Sequence, residues 1–192
     1  MNREQWLNSL MKKMAPILAD AYGEEWKEVD LTTWRVSCGW PGGGSRNKRI
    51  GECWSSTASK GGRTEMFISP LLELTTDVDH VLLHEMVHAT VGVKHGHKGP
   101  FAKLARKIGL TGKLTSTRAG DDLRVRLDAI VVKLPPYPHT SMSPLGNGLK
   151  KQTTRMLKLE CDECGYVVRT TQKWIEVGVP TCHCGSDFQV RI

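Results

Sequence analysis

The stretch His84-Glu85-Met86-Val87-His88 decides the fold around it, because it combines a helical spacing with metal-binding side chains. Residues four apart lie on the same face of an α-helix, about one turn along the axis. Two imidazoles with this spacing can bind one tetrahedral zinc ion, and Glu85 then lies beside the coordination position left for water. The motif predicts a catalytic zinc ion with His84 and His88 as ligands and Glu85 as the general base.

The residues around this motif favour a helix. Thr76 and Asp77 are both suitable N-cap residues, and Thr76 with Asp79 fits a loose capping box. Apolar residues at helical spacing follow, and neither proline nor glycine occurs before Gly92. The alternative, two histidines on a polar helix face with a solvated glutamate, agrees less well with this context.

The segment after this helix offers two candidates for a third ligand. Glycines allow it to turn sharply, and Pro100 suits the first turn of a new helix, so either His95 or His97 can return to the metal. His80 lies one turn before His84, but three ligands along one straight stripe cannot converge on one ion. We expect a helix-capping or surface role for it.

At these residues the chain resembles the SprT-like family, which includes the Spartan proteases. The matching features are the His-Glu-x-x-His motif, His97 with Phe101 four residues later, and the run of residues 101–113. The resemblance implies a zincin-like metalloprotease that acts on proteins bound or crosslinked to DNA. It selects His97 as the third zinc ligand. In the family a glycine commonly follows this histidine directly. Here a glycine follows His95 directly, whereas Lys98 follows His97, so His95 stays the alternative.

Four cysteines near the C-terminus form a second metal signature. Cys161 and Cys164, then Cys182 and Cys184, are two pairs separated by a hairpin-length segment, which is typical of a zinc ribbon. Two disulfides are the alternative, and His183 could replace a cysteine as ligand. We expect a structural zinc ion here, and SprT-like proteins often carry such a ribbon.

The remaining pattern predicts an α+β protein with two domains. Three strands, at residues 33–39, 49–55 and 65–69, predict a small antiparallel sheet packed on the motif helix. Helices are expected at 3–21, from Pro100 to near Gly109, and at 121–134. The domain boundaries follow: a metallopeptidase domain at 1–134, a Pro-, Gly- and Ser-rich linker at 135–149, and the zinc ribbon at 150–192.

The predicted strands suggest a role for the loop between the first two of them and for the edge of the sheet. The Gly-rich loop at 41–48 is not followed by the Lys-Ser/Thr of a phosphate-binding loop, so a hairpin connection is expected, with Arg46, Lys48 and Arg49 available to touch DNA. If the strand at 65–69 is a sheet edge beside the cleft, an extended peptide could add to it.

The positive charge of this protein is concentrated. The net charge is +7, and residues 86–120 contain seven Lys or Arg and no Asp or Glu. Five more cations and no acid occur in residues 129–159. The basic tracts 94–118 and 133–158 therefore favour a nucleic-acid partner, most simply DNA, over ordinary solvated helix faces.

The cysteines and the distribution of apolar residues indicate where in the cell the protein is expected. Cys38 and Cys53 lie in strand-like segments and are expected to be reduced core residues. The N-terminus is polar and carries no secretory signal, and no apolar run has the length of a membrane span. We expect a cytoplasmic, nucleoid- or DNA-associated protein with no membrane partner.

Three functions remain open from the sequence. The first is a DNA-associated zinc metalloprotease of SprT-like type with one catalytic and one structural Zn2+, acting on a protein substrate. The second is a non-catalytic, zinc-containing nucleic-acid-binding or transcription-associated factor, whose His-Glu-x-x-His zinc would need a fourth protein ligand. The third is a peptidase with no nucleic-acid role.

Overall fold

The computed structural model describes residues 1–42, 49–143 and 155–191. They form two compact units, one from Met1 to Asn147 and one from Gly148 to Ile192. Helices and small sheets are both present, which confirms the α+β class. Within these residues no helix has the length and apolar character needed to cross a bilayer.

Four helices build most of the first unit. They are α1 (Arg3–Tyr22), α2 (Thr75–Val91), α3 (Pro100–Lys107) and α4 (Asp121–Val131). Helix α1 begins with a capping box between Asn2 and Gln5 and continues through Pro16. Its apolar stripe, including the fully buried Trp6, packs into the same core as α2, because both helices present apolar residues at helical spacing.

The first sheet is mixed rather than antiparallel. It contains β1 (Trp34–Cys38), β2 (Gly51–Trp54) and β3 (Thr64–Ile68) in the order β1-β3-β2. Strand β3 runs parallel to β1 and antiparallel to β2. Its Met66 and Ile68 are fully buried, which suits a central position with partners on both sides.

This order corrects two expectations. Strands β1 and β2 are not neighbours, so the Gly-rich loop does not close a hairpin; its residues 43–48, with Arg46 and Lys48, lie outside the described residues. Strand β3 is central, so it offers no edge to a peptide. The edges are β1 and β2, and the Asn8 side chain of α1 already hydrogen-bonds the backbone of Val36 on β1.

Helix α2 begins one residue before the expected caps. Leu74 precedes its first residue, Thr75, and no side chain caps the helix. Asp79, expected in a loose capping box, is fully buried and instead pairs with Arg124 of α4. A buried carboxylate requires a charged or hydrogen-bonding partner, and the Arg124 guanidinium supplies one.

A short hairpin follows α3, and the sequence did not predict it. It consists of β4 (Leu110–Lys113) and β5 (Ser116–Ala119), paired antiparallel. Both strands are mostly polar, and only Leu110 and Thr117 are buried, so the period-two pattern that marks a strand is absent.

Part of the expected linker packs on the first unit. The indole of Trp6 donates a hydrogen bond of 2.7 Å to Pro135 O, and the buried Tyr137 ring lies 4.9 Å from the Trp6 ring. His139 Nε2 and Met142 N both approach Pro70 O, at 2.9 and 2.8 Å. Residues 135–142 therefore belong to the first unit, because the Tyr137 ring enters the core; residues 144–149 lie outside the described residues.

The second unit is a small antiparallel sheet with one short helix. Its elements are β6 (Met156–Cys161), β7 (Val167–Thr171), α5 (Gln172–Val177) and β8 (Phe188–Arg191). The strand order is β7-β6-β8, and both pairs are antiparallel. The described core is only four residues, Leu159, Cys161, Cys182 and Phe188.

Candidate metal centres

Helix α2 carries the His-Glu-x-x-His residues at the centre of the first unit. The apolar side chains on its buried face fix the rotation of the helix, so that His84 and His88 leave it on one side. Glu85 is only 5% exposed and His88 only 8%. The motif therefore lies mid-helix, as its spacing predicts.

The turn after α2 brings His97, and not His95, to this pair. Gly92 ends the helix with φ of 93°, and Gly96 has φ of 50°, backbone conformations that side chains with a Cβ rarely adopt. His97 Nε2 lies 3.1 Å from His84 Nε2 and 3.2 Å from His88 Nε2. Among the described residues, the histidine group that could hold a metal ion contains these three and neither His95 nor His80.

The three imidazoles fit one metal ion. Their nitrogens all lie within 4.8 Å of one another. Adjacent ligands of a tetrahedral zinc with Zn–N bonds of about 2.0–2.1 Å are separated by roughly 3.3 Å, close to the observed separations. The donor set, three imidazoles with no cysteine, suits a divalent transition-metal ion.

Burial keeps these imidazoles neutral. Burial, and after it the charges of neighbouring histidines, lower the pKa of His84 to about 3 and that of His88 to about 4. Burial also lowers the pKa of His97. Neutral imidazole is the form that binds a metal, so at neutral pH the group needs no deprotonation before it can bind.

Two side chains outside the motif hold the histidine rings. The Phe101 ring, from α3, is fully buried and lies 4.2 Å from His88, 4.9 Å from His84 and 5.0 Å from His97. Thr117 Oγ1, from β5, lies 2.8 Å from His84 Nδ1. When Nδ1–H donates this bond, the Nε2 lone pair stays free for a metal ion.

Glu85 is packed against the edge of the first sheet. A Cβ at Gly51 would lie 2.4 Å from Glu85 Oε1, so only glycine on β2 leaves room for this carboxylate. Burial, and after it the charge of the Glu52 carboxylate, raise the pKa of Glu85 to about 8. A cation bound beside it would favour the charged carboxylate, which is the form that can accept a proton.

One cavity of about 630 Å3 lies beside this site. It is lined by the three histidines, by Glu85 and by residues of β2. The turn of the β4–β5 hairpin, residues 115–117, lines the same space. A cavity of this size can accept a peptide segment of a few residues. The metal-ligand group thus opens to a space that a substrate can enter.

The second metal group consists of the four cysteines of the ribbon. Cys161 Sγ lies 3.5 Å from Cys184 Sγ, and Cys164 Sγ lies 3.4 Å from Cys182 Sγ. All four sulfurs lie within 4.8 Å of one another, and the cysteines are free of disulfides. Four thiolates at these separations suit a closed, tetrahedral site, with no position left for substrate.

Backbone turns stabilise this sulfur group. Gly165 and Gly185 each follow the second cysteine of a pair with a positive φ, at 71° and 89°. Backbone N–H groups then point at sulfur: the N–H and hydroxyl of Ser186, and after them the thiols of Cys161 and Cys182, lower the pKa of Cys184 to about 6. His183 Nδ1 lies 3.6 Å from Cys182 Sγ, next to the group and not within it.

Two residues of the first site, Gly51 and Thr117, were not predicted from the sequence. An isolated glycine within a predicted strand indicates a close approach of another group, and Gly51 fits that signal. Thr117 carries no such signal, because it becomes a neighbour of His84 only through a hairpin that is itself unpredictable. Cys38 and Cys53, expected to be reduced core residues, lie in β1 and β2 as free thiols that are partly buried and pack against the core.

Comparisons with known proteins add no assignment: no family model, curated protein or solved structure matches this chain.

Proposed function

We propose that this protein is a zinc-dependent peptide hydrolase of the SprT-like type. The observation that carries the proposal is the convergence of His84, His88 and His97 beside the buried carboxylate of Glu85, at one cavity. A structural zinc site would need a fourth protein ligand, and the group found among the described residues has three. This favours hydrolysis over the non-catalytic alternative.

The residues divide the chemistry between them. A zinc ion held by the three imidazoles would supply Lewis-acid chemistry, activating water and polarising a peptide carbonyl. Glu85 accepts the proton of the attacking water on a carboxylate oxygen and passes it to the leaving amine. The absence of a side chain at Gly51 leaves room for that carboxylate at the cavity wall.

Strand β2 is the element that would orient the substrate. It is an edge strand, and residues 49–53 line the cavity that contains Glu85. An extended peptide can pair with such an edge through main-chain hydrogen bonds, which fixes the scissile carbonyl without reading side chains. This role moves from the strand at 65–69, expected from the sequence, to β2.

The charge on the first unit supports DNA as a partner. The seven cations of residues 86–120 are all exposed, and none forms an ion pair with a carboxylate among the described residues; they are Lys94, Lys98, Lys103, Arg106, Lys107, Lys113 and Arg118. Unpaired surface cations can exchange their counterions for phosphates. We infer that DNA binds this surface; in the tract 133–158, residues 144–154 lie outside the described residues.

The resemblance supplies the substrate class. A SprT-like protease with a DNA-facing surface would cleave proteins that are trapped or crosslinked on DNA, in DNA–protein crosslink repair, and would associate with DNA in the cell. DNA would concentrate the protein substrate near the cavity, which raises the rate of encounter.

Cleavage of a DNA-binding protein tests this proposal. The native chain and Glu85→Gln are incubated with that substrate, with and without single-stranded DNA, and the products are resolved on a gel. We expect cleavage that DNA stimulates and that Glu85→Gln abolishes while metal and DNA binding persist. Cleavage at the same rate with and without DNA would favour a peptidase without a nucleic-acid role. The absence of cleavage in both conditions would favour the non-catalytic factor.

A further inference from the structure

The outer face of the first sheet carries a second cavity, of about 440 Å3. Three aromatic side chains, Trp40, Trp54 and Phe67, line it together with two carboxylates, Glu52 and Glu65. Trp54 lies opposite Glu65, and Glu52 opposite Phe67, in the β2–β3 ladder, so each aromatic ring is paired with an acid on the same face. Aromatic rings combined with carboxylates form an environment that favours an organic cation.

The two carboxylates are not equivalent. Glu52 accepts hydrogen bonds from Gly42 N, Trp54 Nε1 and Arg49 Nη1, at 2.6, 2.9 and 2.6 Å. These bonds hold its charge and fix the Trp54 ring. The Glu65 carboxylate forms no hydrogen bond or ion pair with any described residue, so its charge is available to a ligand; only its backbone is paired, in the sheet.

The nearest cation on the neighbouring strand does not neutralise Glu65. Arg35 lies opposite Glu65 in the β1–β3 ladder. Its Nη1 donates to Thr32 O and Trp34 O, at 2.9 and 2.8 Å, and the guanidinium forms no ion pair with the described carboxylates. A ligand cation would therefore be the partner that Glu65 lacks.

The cavity lies next to the edge strand that would bind substrate. Side chains of an extended peptide alternate between the two faces of a sheet. For a peptide paired with β2, one set points toward the Glu85 side and the other toward the face of Glu52 and Trp54. Alternate residues of the same peptide could thus reach the scissile position and the aromatic cavity.

We propose that this cavity is a specificity subsite for a lysine or arginine side chain of the protein substrate. This inference rests on the proposed function for its role in cleavage, but the binding itself does not depend on turnover. Proteins that bind DNA use lysine and arginine to contact phosphate, so such a subsite matches DNA-bound substrates. The carboxylates disfavour a phosphate-bearing ligand in the same place.

Peptide binding to the full-length Glu85→Gln variant, which retains both metal groups, tests the subsite without cleavage. Three peptides that differ only at one position, carrying lysine, norleucine or glutamate, are titrated by calorimetry. We expect the lysine peptide to bind about tenfold more tightly than the norleucine peptide, and the glutamate peptide to bind more weakly than both. Equal affinities for lysine and norleucine would overturn the inference, whether or not the native chain cleaves.

Substitutions in the cavity test whether the preference for the lysine peptide arises there. Adding Glu65→Gln or Trp54→Ala should remove most of the difference between lysine and norleucine, whereas the exposed Glu25→Gln, outside the cavity, should preserve it. A preference that survives both cavity variants would contradict the assignment.

A titration with oligothymidine tests whether the cavity binds nucleic-acid bases instead. Binding that is weakened by Trp54→Ala and unchanged by Glu65→Gln would assign the cavity to bases and contradict the proposal. Failure of cleavage with a retained lysine preference would contradict only the proposed function.

Discussion

At the scale of single residues, the position of the Glu85 carboxylate depends on the absence of a side chain at Gly51. The two residues belong to different elements, yet a single methyl group on β2 would occupy the space of Oε1. A general base must be held near its productive geometry, because small displacements have large effects on rate. The glycine therefore acts on the site without taking part in the chemistry.

Gly51→Ala should lower kcat/KM for peptide cleavage by about a hundredfold, because the new Cβ would displace Glu85. Zinc content should stay at the native level, since the atoms nearest to a Cβ at Gly51 belong to Glu85 and Val81 and not to the imidazoles. Gly61→Ala, at an exposed position with only the Ser59 hydroxyl nearby at 3.8 Å, is the matched control and should be silent. Native activity in Gly51→Ala would show that Glu85 is not constrained by β2.

Thr117→Val should weaken zinc binding at the histidine group about 10- to 100-fold, because it removes the hydrogen-bond partner of His84 Nδ1 while keeping the side-chain volume. Competition with a chelating dye measures the affinity. Thr111→Val, on the other strand of the same hairpin, should bind zinc as the native chain does. An unchanged affinity in Thr117→Val would remove Thr117 from the site.

At the scale of elements, a buried ion pair joins the motif helix to α4. Asp79 is fully buried, and the Arg124 side chain is 27% exposed. The Arg124 guanidinium donates hydrogen bonds to both carboxylate oxygens of Asp79, and also to Thr76 O and to the Asp128 carboxylate. The carboxylate raises the pKa of Arg124 further by hydrogen bonding and by its charge. Loss of one partner leaves a charge in the core, which costs far more than the pair contributes when intact.

Arg124→Ala should destabilise the first unit by about 3 kcal/mol, because it leaves Asp79 without its partner. Arg126→Ala on the same helix loses an exposed pair with Asp20, of 3.2 Å, and should cost less than about 1 kcal/mol. Urea denaturation of the two variants provides the comparison. Equal effects would mean that the burial of Asp79 has no energetic consequence.

The elements also show what the sequence could predict. Helices α1 to α4 were predicted within a few residues, because a 3.6-residue apolar period is a local property. The strand order β1-β3-β2 and the β4–β5 hairpin were not, because they depend on pairing between distant segments. The same division holds at the site: His84, Glu85 and His88 follow from spacing, whereas the choice of His97 over His95 needs the backbone path through Gly92 and Gly96.

At the scale of the whole molecule, the two units differ in how they reach stability. The first has a continuous core of apolar residues from four helices and a sheet. The second has a four-residue core that includes two of its cysteines. A core that small rarely supplies enough free energy for folding, so metal binding by the four thiolates would be part of the folding of this unit.

Cys161→Ser should therefore unfold the second unit and leave the first intact. Limited proteolysis should then cleave after residue 148 and spare a stable fragment of the first unit. Cys38→Ser, which replaces a free thiol in β1, should keep both units protected. Protection of the second unit in Cys161→Ser, or after removal of metal by a chelator, would contradict a structural role for the metal.

The number of zinc ions per chain tests whether His97 completes a catalytic zinc site with His84 and His88. It is measured by native mass spectrometry, together with peptide cleavage, in the native protein, His97→Ala and His95→Ala. We expect two zinc ions and cleavage for the native chain and for His95→Ala, and one zinc ion without cleavage for His97→Ala. A native chain with fewer than two zinc ions, or a His95→Ala variant that loses one while His97→Ala retains both, would contradict this expectation.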